Sequence, residues 1–382
     1  MSESPPSFRP LLLSYGPPAA AFALAWLAFS GVVLANGFPY TAENFSKWDA
    51  TLYQSIAQKG YEFFPCAGQS MWGGQSWCGN TGWFPLYPWL TKLLALFLRS
   101  VPISAILVTA GSFYAVLWLV WNWLLGGLLT TENILLLLLA AFFPGQLYYL
   151  VPYPIPLYLL LILLVFKFLL AERYVWSGVC GALASICYSS APALVLTLAI
   201  YLVIAHRTWP IGRQLRPLLL TCGLTAAGYL LFLVFLQLDV GHWDANLRVL
   251  GKYGVGLYDP LATFLEKTVA MFRGEYRGRE EFQGFQHLFC AGLMLSFLVV
   301  TTRDRTWPPS SLETLCLIQG LTFWLFPLVL GSSVLLWRSQ ALLMPTVVLA
   351  KRFSRPTQAI VLTVSVLLSG EEALQYLKNW LP

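Results

Sequence analysis

Charged residues are scarce in this sequence. Only 10% of its 382 residues are Asp, Glu, Lys or Arg, whereas 58% are hydrophobic. A soluble globular domain carries about 25% charged residues, so this composition excludes one. It indicates an all-helical protein that crosses a membrane several times. No Pro-, Ser- or Gly-rich linker divides the chain, and we therefore treat residues 1–382 as a single membrane domain.

Several catalytic signatures are also missing. The sequence has no Gly-rich phosphate loop after a strand, no HExxH and no Gly-x-Ser-x-Gly, which excludes the usual nucleotide-driven, metalloprotease and serine-hydrolase sites. Only three histidines are present, and the spacing of Asp239, His242 and Asp244 does not specify a metal site. The net charge of +6 does not indicate nucleic-acid binding, because the basic residues of a membrane protein mainly set its orientation in the membrane. No strip of basic and aromatic residues that could bind nucleic acid occurs in a polar segment.

The apolar runs predict about eleven transmembrane helices, each needing roughly 20 residues to cross. The first is expected to be a retained signal anchor, because bulky residues rather than a cleavage site follow it. Residues 86–98 are expected to lie at the membrane interface. The predicted spans are 18–35, 102–125, 134–150, 156–170, two short passes within 175–205, 217–237, 285–301, 312–330, 334–350 and 359–368.

This arrangement places the basic clusters on one side of the membrane. They are His206, Arg207, Arg213 and Arg216, then Arg303 and Arg305, then Lys351, Arg352 and Arg355. By the positive-inside rule that side is cytoplasmic, so the two long loops, residues 36–101 and 238–284, project outward and each carries an amphipathic helix. We expect a bacterial inner membrane protein, or one of the endoplasmic reticulum in a eukaryote, with its active face extracytoplasmic.

Two of the seven cysteines stand apart from the others. Cys66 and Cys78 lie in the first long loop, where an oxidising compartment favours a disulfide. A zinc site is less favoured, because neither belongs to a Cys-x-x-Cys pair and the loop has no histidine. The remaining cysteines fall in or beside apolar runs, where free cysteine behaves as a small apolar residue: Cys180, Cys187, Cys222, Cys290 and Cys316.

The first loop begins with a stretch in which Trp48, Leu52 and Ile56 recur at helical spacing. This pattern predicts a short amphipathic helix along the membrane surface. Asp49 lies in its first turn, and two interpretations are open. Ser46 and Asp49 have the spacing of a capping box, or the Asp49 carboxylate is a general base at a membrane-level cleft.

Three further polar residues are candidates for substrate binding. Asp239 and His242, in the second loop, could bind substrate hydroxyls or a phosphate. Arg338 lies near the outer end of a predicted span, where an arginine is costly unless it is paired. A lipid phosphate would suit its guanidinium group. The alternative is an interfacial anchor beside Trp337.

The motifs Lys47-Trp-Asp49, Gln58-Lys-Gly-Tyr61 and Trp83-Phe-Pro-Leu-Tyr-Pro88 resemble the PIG-V family, known in eukaryotes as GPI mannosyltransferase 2, and its shorter bacterial members. Weaker similarity occurs at Phe143-Pro-Gly145, at Tyr153 and from Arg338 to Pro345. The resemblance implies a GT-C fold and a polyprenyl-phosphate sugar donor such as dolichyl-phosphate mannose. Asp49 matches the catalytic loop aspartate of the family, and Arg338 matches its late arginine.

The sequence departs from that family at two places. After Tyr153 the family has a small residue and then Glu, whereas this chain has Pro154-Ile155-Pro156. Near Cys187-Tyr188-Ser189 the Thr-Arg pair of the family is missing. These departures bear on the acceptor and on the activity itself.

The sequence therefore predicts an inverting glycosyltransferase, in particular a mannosyltransferase, that acts on a lipid or glycan hydroxyl without a metal or cofactor. Asp49 would be the base, and Arg338 with His242 would stabilise the leaving phosphate. The expected partners are the bilayer, the donor, the acceptor and a small membrane subunit, but no nucleic acid. The alternatives are a non-catalytic GT-C scaffold that binds a lipid-linked sugar or a partner enzyme, and a lipid transporter. The aromatic residues expected to shape the sugar site are Trp48, Tyr53, Trp83 and Tyr87.

Overall fold

A computed structural model describes residues 11–66, 76–208, 210–273, 279–303, 310–331 and 338–379. Helices dominate these residues, and the described part of the chain has a single two-stranded ribbon. In chain order the elements are α1 (Leu11–Ala35), α2 (Ala42–Phe45), α3 (Asp49–Lys59), β1 (Phe63–Pro65), β2 (Trp77–Gly79), α4 (Leu86–Leu98), α5 (Val101–Leu119), α6 (Thr131–Ala141), α7 (Leu147–Leu150), α8 (Ile155–Leu170), α9 (Tyr174–Ser185), α10 (Ala191–Ala205), α11 (Ile211–Leu218), α12 (Leu224–Val240), α13 (Ala245–Gly251), α14 (Pro260–Arg273), α15 (Arg279–Arg303), α16 (Ser311–Leu330), a 3-10 helix (Ala341–Arg352) and α17 (Arg355–Leu377).

Six helices among the described residues are long and apolar enough to cross a membrane. They are Leu11–Ala35, Val101–Leu124, Ile211–Val240, Gly284–Arg303, Ser311–Leu330 and Arg355–Leu377. Two of these helices continue through a single π-helical turn, at Val120–Leu124 and Leu219–Gly223. The protein is thus an all-helical, multi-pass membrane protein, whereas the count of eleven spans stays a prediction. The four shorter apolar helices are α4, α6, α8 and α10.

The predicted break within residues 175–205 is present. Helix α9 ends at Ser185, and α10 begins at Ala191 with Pro192 in its first turn. Proline is tolerated there because the first amides of a helix have no intrahelical partner. The break between these helices, residues 186–190, reaches the functional site described below, where Tyr188 and Ser189 line the cavity.

Two predicted spans differ from the structure. Residues 134–150 do not form one helix, because α6 ends at Ala141 and the short α7 follows Pro144 and Gly145. Proline removes an amide donor, and Gly145 has a φ of +88°. In the second case, residues 341–352 form a 3-10 helix whose side chains from Ala341 to Ala350 are all buried, and residues 332–337 lie outside the described part.

The first loop is built around the two-stranded ribbon. Strands β1 and β2 pair antiparallel, with Phe64 opposite Cys78. Cys66 and Cys78 form a disulfide, as predicted. The Asn80 side chain accepts a hydrogen bond from the Glu62 amide at 2.8 Å and donates one to the Gly60 carbonyl at 3.1 Å. These contacts fix the ribbon to the end of α3 and hold the following residues, 81–84, at the functional site.

Helix α16 connects that site with a charged cluster at its other end. Leu330, its last residue, lines the candidate site. Glu313, in its first turn, accepts a hydrogen bond from Arg352 Nε at 2.9 Å. Twenty helical residues extend about 30 Å, the thickness of the hydrocarbon core of a bilayer. The site and the Glu313–Arg352 ion pair are therefore separated by about one membrane thickness.

Candidate active site

Asp49 is the first residue of α3, and the chain turns sharply to reach it. Trp48 has φ 55° and ψ −127°, a conformation that a bulky residue rarely adopts. The predicted capping box is absent, because the Ser46 amide donates to the Glu43 carbonyl at 3.0 Å and the Ser46 hydroxyl donates to the Ala42 carbonyl at 2.6 Å. The Asp49 carboxylate is therefore available for another partner.

That partner is Arg338, which donates a hydrogen bond from its guanidinium group to Asp49 Oδ2. Arg338 is almost completely buried, with a side chain 5% exposed, whereas the Asp49 side chain is 22% exposed. The guanidinium carbon lies 5.9 Å from the ring centre of Tyr148 and 5.5 Å from that of Tyr153. Both rings offer their electron-rich faces to a cation. The arginine is thus held from behind by aromatic rings, and the aspartate lies on the open side.

The ion pair faces a cavity of about 220 Å³. Among the described residues that line it, only Asp49 and Arg338 are charged, and most of the others are aromatic or apolar. The polar side chains at its wall belong to Tyr53, Tyr188, Ser189, Tyr229, Asn246 and Tyr253. The remaining lining residues are Gly82, Trp83, Phe84, Pro192, Leu247, Leu250, Val255 and Leu330.

The two long loops meet at the wall of the cavity. Thr81 Oγ1 donates to the Ala245 carbonyl at 3.1 Å, and Asn246 Nδ2 donates to the Thr81 carbonyl at 3.1 Å. Further along, the Tyr258 amide donates to the Val329 carbonyl at 2.8 Å. These bonds anchor α13 and the chain after it to the first loop and to the end of α16. The second loop therefore forms part of the cavity wall that the ion pair faces.

Two phenols at the wall remain protonated over a wide pH range. Burial raises the pKa of Tyr53 well above its ordinary value, and the nearby Asp49 charge adds to this rise while Arg338 opposes it. Burial also raises the pKa of Tyr253, with the same two charges acting in the same directions. A neutral phenol can both donate and accept a hydrogen bond. Both side chains can thus bind hydroxyl groups of a bound molecule.

Four of the predicted site residues line the cavity: Asp49, Tyr53, Trp83 and Arg338. The apolar face that the sequence predicts for helix α3 is partly correct, because Ile56 and Ala57 are buried, whereas Trp48 is exposed and Leu52 is half-buried. The buried side chains of α3 are Ala50, Tyr53, Gln54, Ile56 and Ala57. The helix packs against α4 and α5. The periodic residues were visible in the sequence, but which face meets the protein depends on the neighbouring helices.

The other predicted site residues lie elsewhere. Trp48 is 38% exposed and does not line the cavity. Tyr87 is fully buried, where its hydroxyl donates to the Ala105 carbonyl at 2.9 Å and lies 2.9 Å from Thr109 Oγ1. Asp239 is exposed at the end of α12. His242 packs against the rings of Phe63 and Trp77, at centroid distances of 5.1 and 5.9 Å. His242 therefore belongs to the ribbon and not to the cavity.

The sequence left several lining residues unassigned. Tyr188 and Ser189 lie in the break between α9 and α10, and Asn246 and Tyr253 lie in and just after α13. The sequence held a signal for Tyr188 and Ser189, because polar residues that interrupt a pair of apolar helices must face protein or water. Asn246 and Tyr253 carried no comparable signal. Among the described residues, no group of three His, Cys, Asp or Glu side chains could hold a metal ion.

Comparisons with known proteins leave the reaction open. No family model matches the chain, and no curated protein matches it. The structure is similar to the oligosaccharyltransferase of Archaeoglobus fulgidus, solved as a complex with zinc and sulfate, with a TM-score of 0.48 and 12% sequence identity. The similarity covers 93% of this chain and 53% of that chain, so this chain spans about half the length of that protein.

Proposed function

We propose that this protein is an inverting membrane glycosyltransferase of the GT-C type, and in particular a mannosyltransferase of the PIG-V kind. It moves one sugar from a polyprenyl-phosphate donor to a hydroxyl group of a lipid or glycan acceptor. The observation that carries the proposal is the Asp49–Arg338 pair at a cavity with aromatic walls. A carboxylate and a guanidinium group side by side supply both a base and a binding group for phosphate.

The proposed reaction is a single displacement. Asp49 takes the proton of the acceptor hydroxyl, and the acceptor oxygen forms a bond to the anomeric carbon of the sugar. The bond from that carbon to the phosphate oxygen breaks, and its electron pair leaves with the phosphate. Arg338 stabilises the additional negative charge. Because attack and departure occur on opposite faces of the sugar, the configuration inverts.

The size of the cavity supports a single sugar as the transferred group. Pockets for drug-sized molecules measure about 300–1,000 Å³, and this cavity measures about 220 Å³. Aromatic side chains such as Trp83 and Tyr253 combine an apolar face with a polar group, which suits a hexose with its apolar and hydroxylated faces. Leu247, Leu250 and Leu330 offer an apolar path for a lipid tail. These features favour a lipid-linked monosaccharide over a long oligosaccharide.

The positive charge of Arg338 makes a metal ion unnecessary in the proposed reaction. Arginine is always charged and matches the geometry of phosphate oxygens. The disulfide in the first loop and the basic clusters at the opposite end support an extracytoplasmic active face. The proposed setting is a bacterial inner membrane, or the endoplasmic reticulum in a eukaryote. The partners are the bilayer, the donor, the acceptor and a small membrane subunit.

A non-catalytic protein that binds a lipid-linked sugar is the second candidate. It is favoured by the engagement of Asp49 with Arg338, because this contact occupies the carboxylate that the reaction needs as its base. The altered segments near Tyr153 and Tyr188 point in the same direction, since Tyr188 lines the cavity. Such a protein would bind the donor without consuming it.

Transfer of radiolabelled sugar from a polyprenyl-phosphate donor to membrane acceptors tests the proposal. We expect the purified, lipid-reconstituted protein to transfer mannose, and Asp49→Asn to lose at least about 100-fold in rate. The matched control is Glu62→Gln, which removes an exposed carboxylate of the same loop and should retain full activity. A chelator should have no effect. Full activity of a folded Asp49→Asn protein would refute the role of the base, and donor binding without transfer would support the second candidate.

A further inference from the structure

The two charges of the cavity neutralise each other. Asp49 and Arg338 are separated by 289 positions in the chain, yet they form a direct ion pair. Neither faces another charged residue among the described residues of the cavity lining. An anion entering this cavity therefore meets a cation that is already engaged, and an acceptor hydroxyl meets a carboxylate that is engaged as well. The same contact occupies both functional groups of the proposed reaction.

The two members of the pair differ in how firmly they are held. Arg338 has a nearly inaccessible side chain against the rings of Tyr148 and Tyr153. Asp49 is more exposed and starts a helix whose positive end can stabilise its carboxylate without Arg338. If the contact opens, Arg338 stays in place and Asp49 turns toward the cavity. Leaving Arg338 buried without any anion would be costly, so opening requires a replacement.

We infer that the phosphate group of the lipid substrate is this replacement. The phosphate displaces the Asp49 carboxylate from Arg338 and by doing so frees the base. This inference rests on the proposed function for the identity of the lipid. Its geometry follows from the guanidinium group, which binds carboxylate and phosphate oxygens through the same N–H donors. Arg338 Nη1, which donates to Asp49 Oδ2, would donate to the phosphate instead. Arg338 thus has an anionic partner at every stage.

The exchange imposes an order on substrate binding. The donor binds first, because Asp49 accepts the proton of an acceptor hydroxyl only after Arg338 has taken the phosphate. After transfer, Asp49 carries the acceptor proton and is neutral, and the phosphate stays on Arg338. When Asp49 releases this proton to water, its carboxylate returns to Arg338 and displaces the phosphate product. Donor binding and product release are then the two directions of one exchange. The coupling is reciprocal, because the phosphate weakens the Asp49–Arg338 contact and this contact weakens phosphate binding by the same factor.

Binding of undecaprenyl phosphate, which carries no sugar and undergoes no transfer, tests the exchange. The affinity is measured for the full-length protein in lipid nanodiscs. We expect Asp49→Asn to bind this lipid about 10- to 100-fold more tightly than the unaltered protein, the effect of removing one competing charge-assisted hydrogen bond. Arg338→Gln should bind it at least tenfold more weakly. Undecaprenol, which lacks the phosphate, should bind the unaltered protein and Asp49→Asn with equal affinity. The control Glu62→Gln should bind undecaprenyl phosphate with the affinity of the unaltered protein.

The outcomes separate the exchange from the proposed function. An unchanged or weaker affinity of a folded Asp49→Asn protein overturns the exchange, even if the unaltered protein transfers sugar. A tighter affinity confirms the exchange, even if no transfer is observed, in which case the non-catalytic candidate is favoured. The exchange would also be overturned if Asp49→Asn bound undecaprenol more tightly by the same factor, because the gain in affinity would then not involve the phosphate. Thermal unfolding of each variant verifies that the compared proteins are folded.

Discussion

Asp49 owes its position to the residue before it. Trp48 has a backbone conformation outside the regions that bulky residues normally occupy. Such a residue costs about 1–3 kcal/mol and persists only where the surrounding structure requires it. Here the turn at Trp48 starts α3 with Asp49 directed at Arg338. Strain of this kind is common at active sites, and at this position it explains how a loop residue reaches a buried cation.

A second carboxylate, Glu372, lies in the interior of α17 and permits a stability prediction. Its side chain is buried, close to the Gly145 and Leu147 amides and to the Gln286 side chain. Burial disfavours the charged form of a carboxyl group. We expect Glu372→Gln to raise the thermal unfolding temperature in detergent, because a neutral amide of almost the same volume replaces a buried ionisable group.

The control for Glu372 is its neighbour. Glu371 is exposed on the same helix, and Glu371→Gln should change the stability by less than about 0.5 kcal/mol. A lower unfolding temperature for Glu372→Gln would show that the carboxylate stabilises the fold, for example through a bound water or ion.

At the scale of elements, the 3-10 helix determines where Arg338 lies. This segment is surrounded by protein, and the Tyr149 hydroxyl donates to the Ala341 carbonyl at 2.6 Å. On the other side, Gln319 Nε2 of α16 donates to the Leu342 carbonyl at 2.7 Å. Irregular backbone within a membrane protein is tolerated where protein surrounds it. The contacts of Ala341 and Leu342 therefore hold the segment that positions the arginine.

Gly145 lies close to the start of this segment and yields a second prediction. A Cβ atom at position 145 would lie 2.7 Å from Ala341 Cβ and 2.8 Å from the Ala341 amide nitrogen, and the φ of Gly145 is +88°. We expect Gly145→Ala to destabilise the protein by about 1–3 kcal/mol and to weaken binding of undecaprenyl phosphate, because the start of the segment and Arg338 must move.

The matched control for Gly145 lies in α5. A Cβ atom at Gly111 would have no neighbour within 4 Å, and alanine favours a helix over glycine by about 1 kcal/mol. Gly111→Ala should therefore be neutral or slightly stabilising in thermal unfolding and should bind the lipid normally. If Gly145→Ala behaved like this control, the proposed role of Gly145 as a support for the 3-10 helix would be wrong.

For the whole molecule, the two ends of the helical bundle differ in charge and in chemistry. One end holds the Glu313–Arg352 pair and Lys351, whose ammonium group donates to the Leu124 carbonyl at 3.5 Å. The other end holds the cavity. A single helical stretch, Ile211–Val240, extends for 30 residues and reaches about 45 Å at 1.5 Å per residue. It is long enough to cross a bilayer and project on both sides.

This stretch offers a direct test of membrane orientation. Gly212 and Asp239 are exposed near its opposite ends. A membrane-impermeant maleimide applied outside intact cells should label Asp239→Cys, whereas Gly212→Cys should react only after permeabilisation, because the basic end is predicted to be cytoplasmic. The parent protein is the control, since four of its five free cysteines are buried. Labelling of Gly212→Cys in intact cells would invert the predicted orientation.

The sequence by itself determined the features that arise from local composition. Long apolar runs specify a membrane protein, and proline with small polar residues specifies the break between α9 and α10. Cys66 and Cys78 were recognisable as a pair because they lie in a polar loop. Asp49 and Arg338 stood out individually, because a charge beside an apolar run is costly and requires a reason.

Only the tertiary structure decided which of these residues meet. The pairing of Asp49 with Arg338 depends on the packing of α3 against α4 and α5 and on the buried 3-10 helix, which no local pattern encodes. Aromatic residues have the same periodicity in a core and in a binding site, so Tyr87 and Tyr53 looked alike in the sequence. Their roles differ because one hydroxyl is bonded within the core, whereas the other residue lines the cavity.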